Sequence, residues 1–269
     1  MISRELVAYN TATESSNKIH DDATAQRFGF TGGLVPGVEV HGYLSWGPVR
    51  TWGEQWLTQG VMESRYVRPT YDGATVQVAF DSATGAATVG TRKGVDARAT
   101  ATVPALQPVA PALTDYPWLP LPAKRPDASA HSLSTGHHLG SVDVQFPDEK
   151  AKRYLEDVRE VLQIYRELGI AHPGWVLGLA NQILMENVVL GPWIHVGSTV
   201  HNFAMIRDGQ QVSCRGRVAD QYEKSGHRFV ELDVAVFADE IPAAHISHVA
   251  IYEPRQVREH HAEAASDLG

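Results

Sequence analysis

The sequence predicts an α+β protein made of two similar units, each with one apolar helix packed against an antiparallel sheet. The first observation is a segment of seven prolines and many alanines, residues 104–130, which is incompatible with a regular helix or a central strand. The second is that the same order of signals stands on both sides of it: a Pro-Gly pair, an apolar helical stretch, then alternating strands closed by turns. A helix followed by antiparallel strands, repeated once along the chain, is typical of α+β architecture. We therefore expect units at 1–103 and 131–254, with 104–130 as linker and 255–269 as a polar tail.

In the first unit, Val35-Pro36-Gly37 opens a helical stretch over residues 38–57. Gly47-Pro48 is expected to kink this helix or to end its first part, because proline cannot donate a backbone hydrogen bond. Turn residues at Asp72-Gly73 and Thr84-Gly85 separate the alternating segments that follow. The predicted strands lie within residues 62–69, 74–80, 86–94 and 95–103.

The second unit repeats this order, with His172-Pro173-Gly174 before an apolar stretch over residues 175–190. An additional amphipathic helix is expected over 147–169, since its apolar residues recur every three or four positions and Gly169 ends the pattern. Cys214 lies within a strand and is interpreted as a small core residue. The predicted strands lie within residues 194–206, 211–224, 227–239 and 243–254.

Composition excludes several classes of protein. The 31 acidic and 23 basic residues give a net charge of -8, which disfavours binding to nucleic acid or to an anionic membrane. The apolar runs are shorter than the ~20 residues that span a bilayer, and the N-terminus lacks the apolar region of a signal peptide. Cys214 is the single cysteine, so neither an internal disulfide nor a zinc site of paired thiolates is expected. We expect a cytoplasmic protein without a membrane partner.

Two motifs resemble a known family. A sheet wrapped around one central helix, given twice, fits a tandem (double) hotdog. Residues 15–40, SSNKIHDDATAQRFGFTGGLVPGVEV, followed by YVRPTYDGATVQV at 66–78, resemble the MaoC-like hotdog proteins, which include the (R)-specific enoyl-CoA hydratases. Those enzymes carry a Gly-Asp-x-Asn-Pro-(Ile/Leu)-His loop, and Asn17, Ile19 and His20 match it.

The sequence departs from this family at the catalytic acid. Placing His20 on the family histidine puts Ser15 where the family has its aspartate, with Glu14 one residue earlier. Asp21 and Asp22 are also nearby, although acids at the start of a short helix commonly cap it. The resemblance therefore leaves open which carboxylate, if any, replaces the family acid.

A second departure concerns the family's His-Gly pair at the start of the hotdog helix. His41-Gly42 is a tempting match, but counting back from Pro69 and forward from His20 places Gly37 at the family glycine and Pro36 at its histidine. We interpret His41-Gly42 as a coincidence.

The resemblance implies an acyl-thioester hydratase or dehydratase that acts on an enoyl-CoA without any cofactor or metal. Adding water to the double bond requires a base, an acid and donors for the developing enolate oxygen. By resemblance, His20, Asn17 and Asp22 are the catalytic side chains, and the backbone N–H of Gly37 or Val38 is the oxyanion donor. Two arginines, Arg65 and Arg68, could meet the CoA phosphates, although solvated sheet residues are the more common meaning of such charges.

Two alternatives stay open. A hotdog thioesterase would use Glu39, although we favour positions on the helix surface for Glu39 and His41. A non-catalytic acyl-binding protein is compatible with Ser15 in place of the acid. Trp175 and Trp193 are possible pocket walls, and hotdog sheets could pair further into a homo-oligomer. The remaining histidines, among them His195, show no ligand-like spacing.

Overall fold

The computed structural model describes residues 1–12, 17 and 31–258. Ten strands and four complete α-helices are found among them, and residues 255–258 are helical as well. The strands are β1 Ile2–Val7, β2 Val61–Tyr66, β3 Thr75–Asp81, β4 Ala86–Thr91, β5 Gly94–Thr102, β6 His138–Gln145, β7 Ile194–Asn202, β8 Gln211–Lys224, β9 His227–Ala238 and β10 Ile241–Glu253. The helices are α1 Gly37–Gln59, α2 Glu149–Asp157, α3 Ile164–Leu168 and α4 Pro173–Asn187.

The strands form one open antiparallel sheet in the order β1-β3-β4-β5-β2-β7-β10-β9-β8-β6. The first five belong to the first half of the chain and the last five to the second half, in mirrored order. The halves meet where β2 pairs with β7, from Val61 opposite His201 to Arg65 opposite Gly197. Each half-sheet wraps one long helix, α1 or α4, so the predicted α+β double hotdog is confirmed.

Helix α1 bends at a different place from the one the sequence predicts. The helix continues through Pro48, and its non-helical residue is Gly53, with φ 54° and ψ -134°. Glycine reaches a positive φ without the steric cost of a Cβ, so the chain bends there and not at the proline. Gly47 instead allows close packing on the sheet, because a Cβ at this position would lie 2.2 Å from the Cβ of Phe80.

The single amphipathic helix expected over 147–169 is wrong, since the chain forms α2 and α3 with a break between them. Arg159 in the break has a positive φ of 55°. The Glu160 carboxylate accepts hydrogen bonds of 2.7 Å from the backbone N–H groups of Val161 and Leu162, which replaces helical bonding locally. Gly169 ends α3 in the left-handed conformation, as expected.

The main core lies between the two long helices and the inner face of the sheet, and it includes Cys214. The chain between β5 and β6 contains a single 3₁₀ helix, Leu113–Asp115. There, Tyr116 packs with Phe237 on the face of the sheet opposite the core and donates a hydrogen bond of 2.7 Å to Asp233. This segment therefore crosses the outside of the second half-sheet.

Candidate functional site

The start of α1 presents two backbone donors. Pro36 is the N-cap residue and supplies no side-chain cap, while the N–H groups of Glu39 and Val40 both bond the Pro36 carbonyl, at 3.0 and 3.2 Å. No acceptor for the N–H of Gly37 or Val38 is found among the described residues. A helix N-terminus carries partial positive charge, so these two donors favour an anionic or carbonyl oxygen.

A cavity of about 210 Å³ opens at Gly37, whereas Val38 lines a neighbouring cavity. Its walls are mostly apolar and come from both halves of the chain, with Val35, Val40 and Tyr66 from the first and Trp193 and Ile194 from the second. Gly37 itself is part of the lining. The cavity is smaller than the ~300–1,000 Å³ typical for drug-sized ligands, which suits a small group.

Asn17 lies at this cavity and is bound to the second half. Its Nδ2 donates to the Trp193 carbonyl at 3.0 Å, and the Trp193 N–H donates to its Oδ1 at 3.3 Å. The side chain is buried. Asn17 thus anchors the segment before α1 to the loop before β7 through its amide group.

The two arginines predicted to meet CoA have different settings. Arg68 lines the cavity and binds the Val95 and Lys93 carbonyls at 3.1 and 2.7 Å and the Asp96 carboxylate at 2.8 Å. Arg65 is 65% exposed on β2, pairs with Glu63 at 3.2 Å, and does not line this cavity. Arg68 is therefore largely occupied with the β4–β5 turn, whereas Arg65 is free to meet solvent.

Several predicted residues fall outside the part of the chain that the structure describes. His20 and Asp22 lie there, as do the alternative carboxylates Glu14 and Asp21 and the substituted position Ser15. Their roles stay predictions.

Glu39 and His41 are not on the helix surface, as the sequence analysis favoured, since both are 0% exposed. Glu39 accepts hydrogen bonds from the Thr11 hydroxyl at 2.6 Å and from the Tyr154 hydroxyl, and Lys150 Nζ lies 3.7 Å from it. It lines a second cavity of about 470 Å³ between α1, α2 and α4. A buried carboxylate therefore lines a second cavity, beside the cavity at the start of α1.

Sequence reasoning missed a cluster of three buried histidines, His41, His195 and His248. The His195 and His248 rings stack with centroids 4.1 Å apart. Ser198 Oγ lies between them, 2.8 Å from His195 Nε2 and 3.0 Å from His248 Nδ1. The three rings come from α1, β7 and β10, so no sequence spacing could reveal the cluster.

These imidazoles are held neutral. Burial lowers the pKa of His41 and His248 to about 3. Burial also lowers the pKa of His195 well below its ordinary value, with further lowering from the neighbouring His248 and His41. Among the described residues, no group of three His, Cys, Asp or Glu side chains is arranged to hold a metal ion.

The start of α4, which corresponds to that of α1, is closed. His172 Nδ1 accepts the Gly174 N–H at 3.2 Å, and its Nε2 donates to Glu160 at 3.2 Å. A Cβ on Gly174 would lie 2.1 Å from the Tyr154 hydroxyl and 2.9 Å from the Val38 carbonyl, so the backbone is already packed on both sides. Of the two helix starts, the one at α1 offers donors to a ligand.

No family model and no curated protein matches this chain. Solved structures do match over nearly the whole chain. A MaoC-like dehydratase has 12% identity and a TM-score of 0.57, covering 94% of this chain and 98% of its own. A conserved hypothetical double hotdog protein from Mycobacterium tuberculosis has 15% identity and a TM-score of 0.58, covering 93% of this chain and 96% of its own.

A MaoC domain protein from Chloroflexus aurantiacus, at 10% identity and a TM-score of 0.54, covers 94% of this chain and 96% of its own. At such identities the likeness shows the fold: this chain is a double hotdog protein. The fold is that of MaoC-like proteins. None of the helices in the described residues is both long and apolar enough to cross a membrane.

Proposed function

We propose that this protein is a MaoC-like acyl-thioester hydratase or dehydratase that adds or removes water at an enoyl-CoA type of substrate. The observation that carries the proposal is the unbonded N–H of Gly37, a residue that lines a small apolar cavity, with the unbonded N–H of Val38 next to it in the chain. A carbonyl oxygen placed there would be stabilised as it gains negative charge.

The chemistry follows from this placement. Water attacks Cβ of the conjugated thioester, its proton passes to a base, and the electrons of the double bond move onto the thioester oxygen. The donors of Gly37 and Val38, together with the positive end of α1, stabilise this enolate until Cα takes up a proton. The apolar walls hold the acyl group and exclude bulk water.

His20 is the base in this proposal. Asn17 is fixed at the cavity by Trp193, and His20 is three residues further along the chain, a separation of at most ~11 Å, which supports this assignment. Asp22 is two residues further along and is the proposed carboxylate partner. Arg68 at the cavity lining and Arg65 on the exposed face of β2 are the proposed contacts of the CoA moiety.

The decisive experiment incubates the protein with a panel of enoyl-CoA esters and follows loss of the conjugated-thioester absorbance. His20→Ala is expected to lower turnover by ~10²-fold or more, the usual scale for a lost general base. His137→Ala, at an exposed second-half histidine, is the matched control and should retain full turnover. Absence of turnover at every chain length, or equal rates for wild type and His20→Ala, would overturn the proposal.

Three further variants identify the carboxylate. Glu14→Gln, Asp21→Asn and Asp22→Asn are compared in the same assay, and Asp22→Asn is expected to reproduce most of the His20 loss. One water needs one well-placed partner, so equal losses in all three variants would contradict the assignment. An increase with Ser15→Asp would indicate that the native protein has given up part of this chemistry.

A second candidate function, thioester hydrolysis, is favoured by Glu39. Its carboxylate is buried, held by Thr11 and Tyr154, and lines the 470 Å³ cavity, as a base that activates water would need. Release of free thiol from saturated acyl-CoA, abolished by Glu39→Gln, would establish it. Saturable acyl-CoA binding without product in either assay would identify a binding protein instead.

A further inference from the structure

The Nδ1 atom of His195 is buried and has no hydrogen-bond partner in the part of the chain that the structure describes. The residue lines the cavity at the start of α1, although it belongs to the second half of the chain. An unpaired buried polar atom is costly unless a ligand or water satisfies it. Nδ1 is therefore a candidate to form a hydrogen bond with a ligand in the cavity.

The proton on the ring can be assigned from its partners. His195 Nε2 lies 3.2 Å from the Gly197 carbonyl and 2.8 Å from Ser198 Oγ. A carbonyl oxygen can only accept, so Nε2 carries the hydrogen of the neutral ring. Nδ1 is then a lone pair, and it can accept a hydrogen bond but not donate one.

The neighbours of the ring leave that lone pair directed at the helix start. The His248 ring stacks on one face at 4.1 Å, and the Tyr66 ring packs against His195 with centroids 4.7 Å apart. On the Nδ1 side lies Gly37, where a Cβ would approach Nδ1 to 2.7 Å. Because Gly37 lacks a side chain, its backbone lies directly against Nδ1, which places the acceptor next to the N–H group at the start of α1.

We propose that His195 contacts the ligand directly and that its Nδ1 accepts a hydrogen bond from the hydroxyl of a 3-hydroxyacyl thioester, the hydrated partner in the proposed reaction. The inference rests on the proposed function. The donor at Gly37 beside an acceptor at His195 matches a ligand that has a carbonyl oxygen and a hydroxyl close together. In the hydration direction Nδ1 accepts a hydrogen bond from one proton of the attacking water, while the other proton passes to His20.

The test compares the affinities of 3-hydroxybutyryl-CoA and butyryl-CoA by calorimetry. Wild type is expected to prefer the hydroxy ligand by about tenfold, the equivalent of 1.4 kcal/mol. His195→Gln keeps a donor where Nε2 stands but removes the acceptor, so the preference should vanish while butyryl-CoA affinity changes less than threefold. His201→Gln is the matched control, because His201 lies on the same strand, is not part of the cavity lining, and should keep the preference.

The outcomes separate this inference from the proposed function. A wild type that hydrates enoyl-CoA without preferring the hydroxy ligand, or a preference that survives in His195→Gln, overturns the role of His195 alone. A preference lost in His195→Gln, in a protein without turnover, supports His195 and overturns hydration. Binding of neither ligand overturns both.

If His195→Gln does not fold, a crystal structure of wild type with 3-hydroxybutyryl-CoA decides the question. The hydroxyl is expected within about 3.2 Å of Nδ1. A hydroxyl placed elsewhere overturns the inference.

Discussion

The buried histidines should make the folded protein lose stability in mild acid. Burial lowers the pKa of His41 and His248 to about 3, whereas the unfolded chain titrates near ~6.5. Below pH ~6.5 the unfolded state therefore binds protons that the folded state does not. The free energy of unfolding consequently falls as the pH drops from ~6.5 towards 3.

The magnitude follows from the linkage relation. Each group lowers the free energy of unfolding by about 1.4 kcal/mol per pH unit below its unfolded pKa. At pH 5 each ring therefore lowers it by ~2 kcal/mol. His41 and His248 together then cost ~4 kcal/mol, and the lowered pKa of His195 acts in the same direction. This is a large part of the ~5–15 kcal/mol that a typical domain has in total.

Urea unfolding at pH 8, 7, 6 and 5, for wild type and His248→Asn, measures this effect. The asparagine amide can bond Ser198 in place of Nδ1 of His248, as donor or as acceptor, but it cannot take up a proton. The variant should be less stable at pH 8 because it leaves a cavity. Its loss between pH 7 and pH 5 should nevertheless be smaller than that of wild type by ~2 kcal/mol.

The control is His137→Gln, since His137 is exposed, and its pH profile should run parallel to that of wild type. If the His248→Asn profile were also parallel to wild type, His248 would titrate alike in the folded and unfolded states. The assignment of a neutral, buried imidazole at this position would then be refuted.

Three other substitutions test individual contacts that stabilise the fold. Gly47→Ala should destabilise by ~1–3 kcal/mol or more in urea, because its Cβ would meet Phe80 at 2.2 Å. His172→Ala should lower the free energy of unfolding by ~2–4 kcal/mol, since it removes the cap of α4 and a partner of a buried carboxylate; an unchanged denaturation midpoint would contradict this role. Tyr116→Phe should cost ~1 kcal/mol and speed proteolysis in the segment between β5 and β6, because it removes the hydrogen bond to Asp233.

The fold could be predicted from the sequence because its signals are local and repeated. Pro36-Gly37 and Pro173-Gly174 each precede a helix, and alternation in β9 and β10 marks half-buried strands. The position of the bend in α1 could not be predicted in the same way. It follows from the positive φ of Gly53, and a glycine does not alter the spacing of apolar residues from which a helix is predicted.

The site could be predicted only in part. Gly37 at the first residue of α1 follows from the Pro-Gly signal and the family frame. The sequence predicts Glu39 and His41 on the surface, because polar residues in a helix usually face water. Residues 38–49 of α1 are buried on every side, so this part of the helix has no such face. The partners of these two residues, Tyr154 and Ser64, are distant in sequence.

The two halves share a fold, but the starts of their long helices differ in whether the backbone N–H groups are bonded. At α4 the chain's own His172 occupies the position of a ligand, since its Nδ1 accepts the Gly174 N–H. At α1 the donors stay open, and the second half contributes Trp193 and His195 to the cavity. A half that folded alone would therefore have either the donors or the acceptor, but not both. The cavity at the start of α1 is lined by both halves, so substitutions in β7 should change ligand affinity as directly as substitutions in α1.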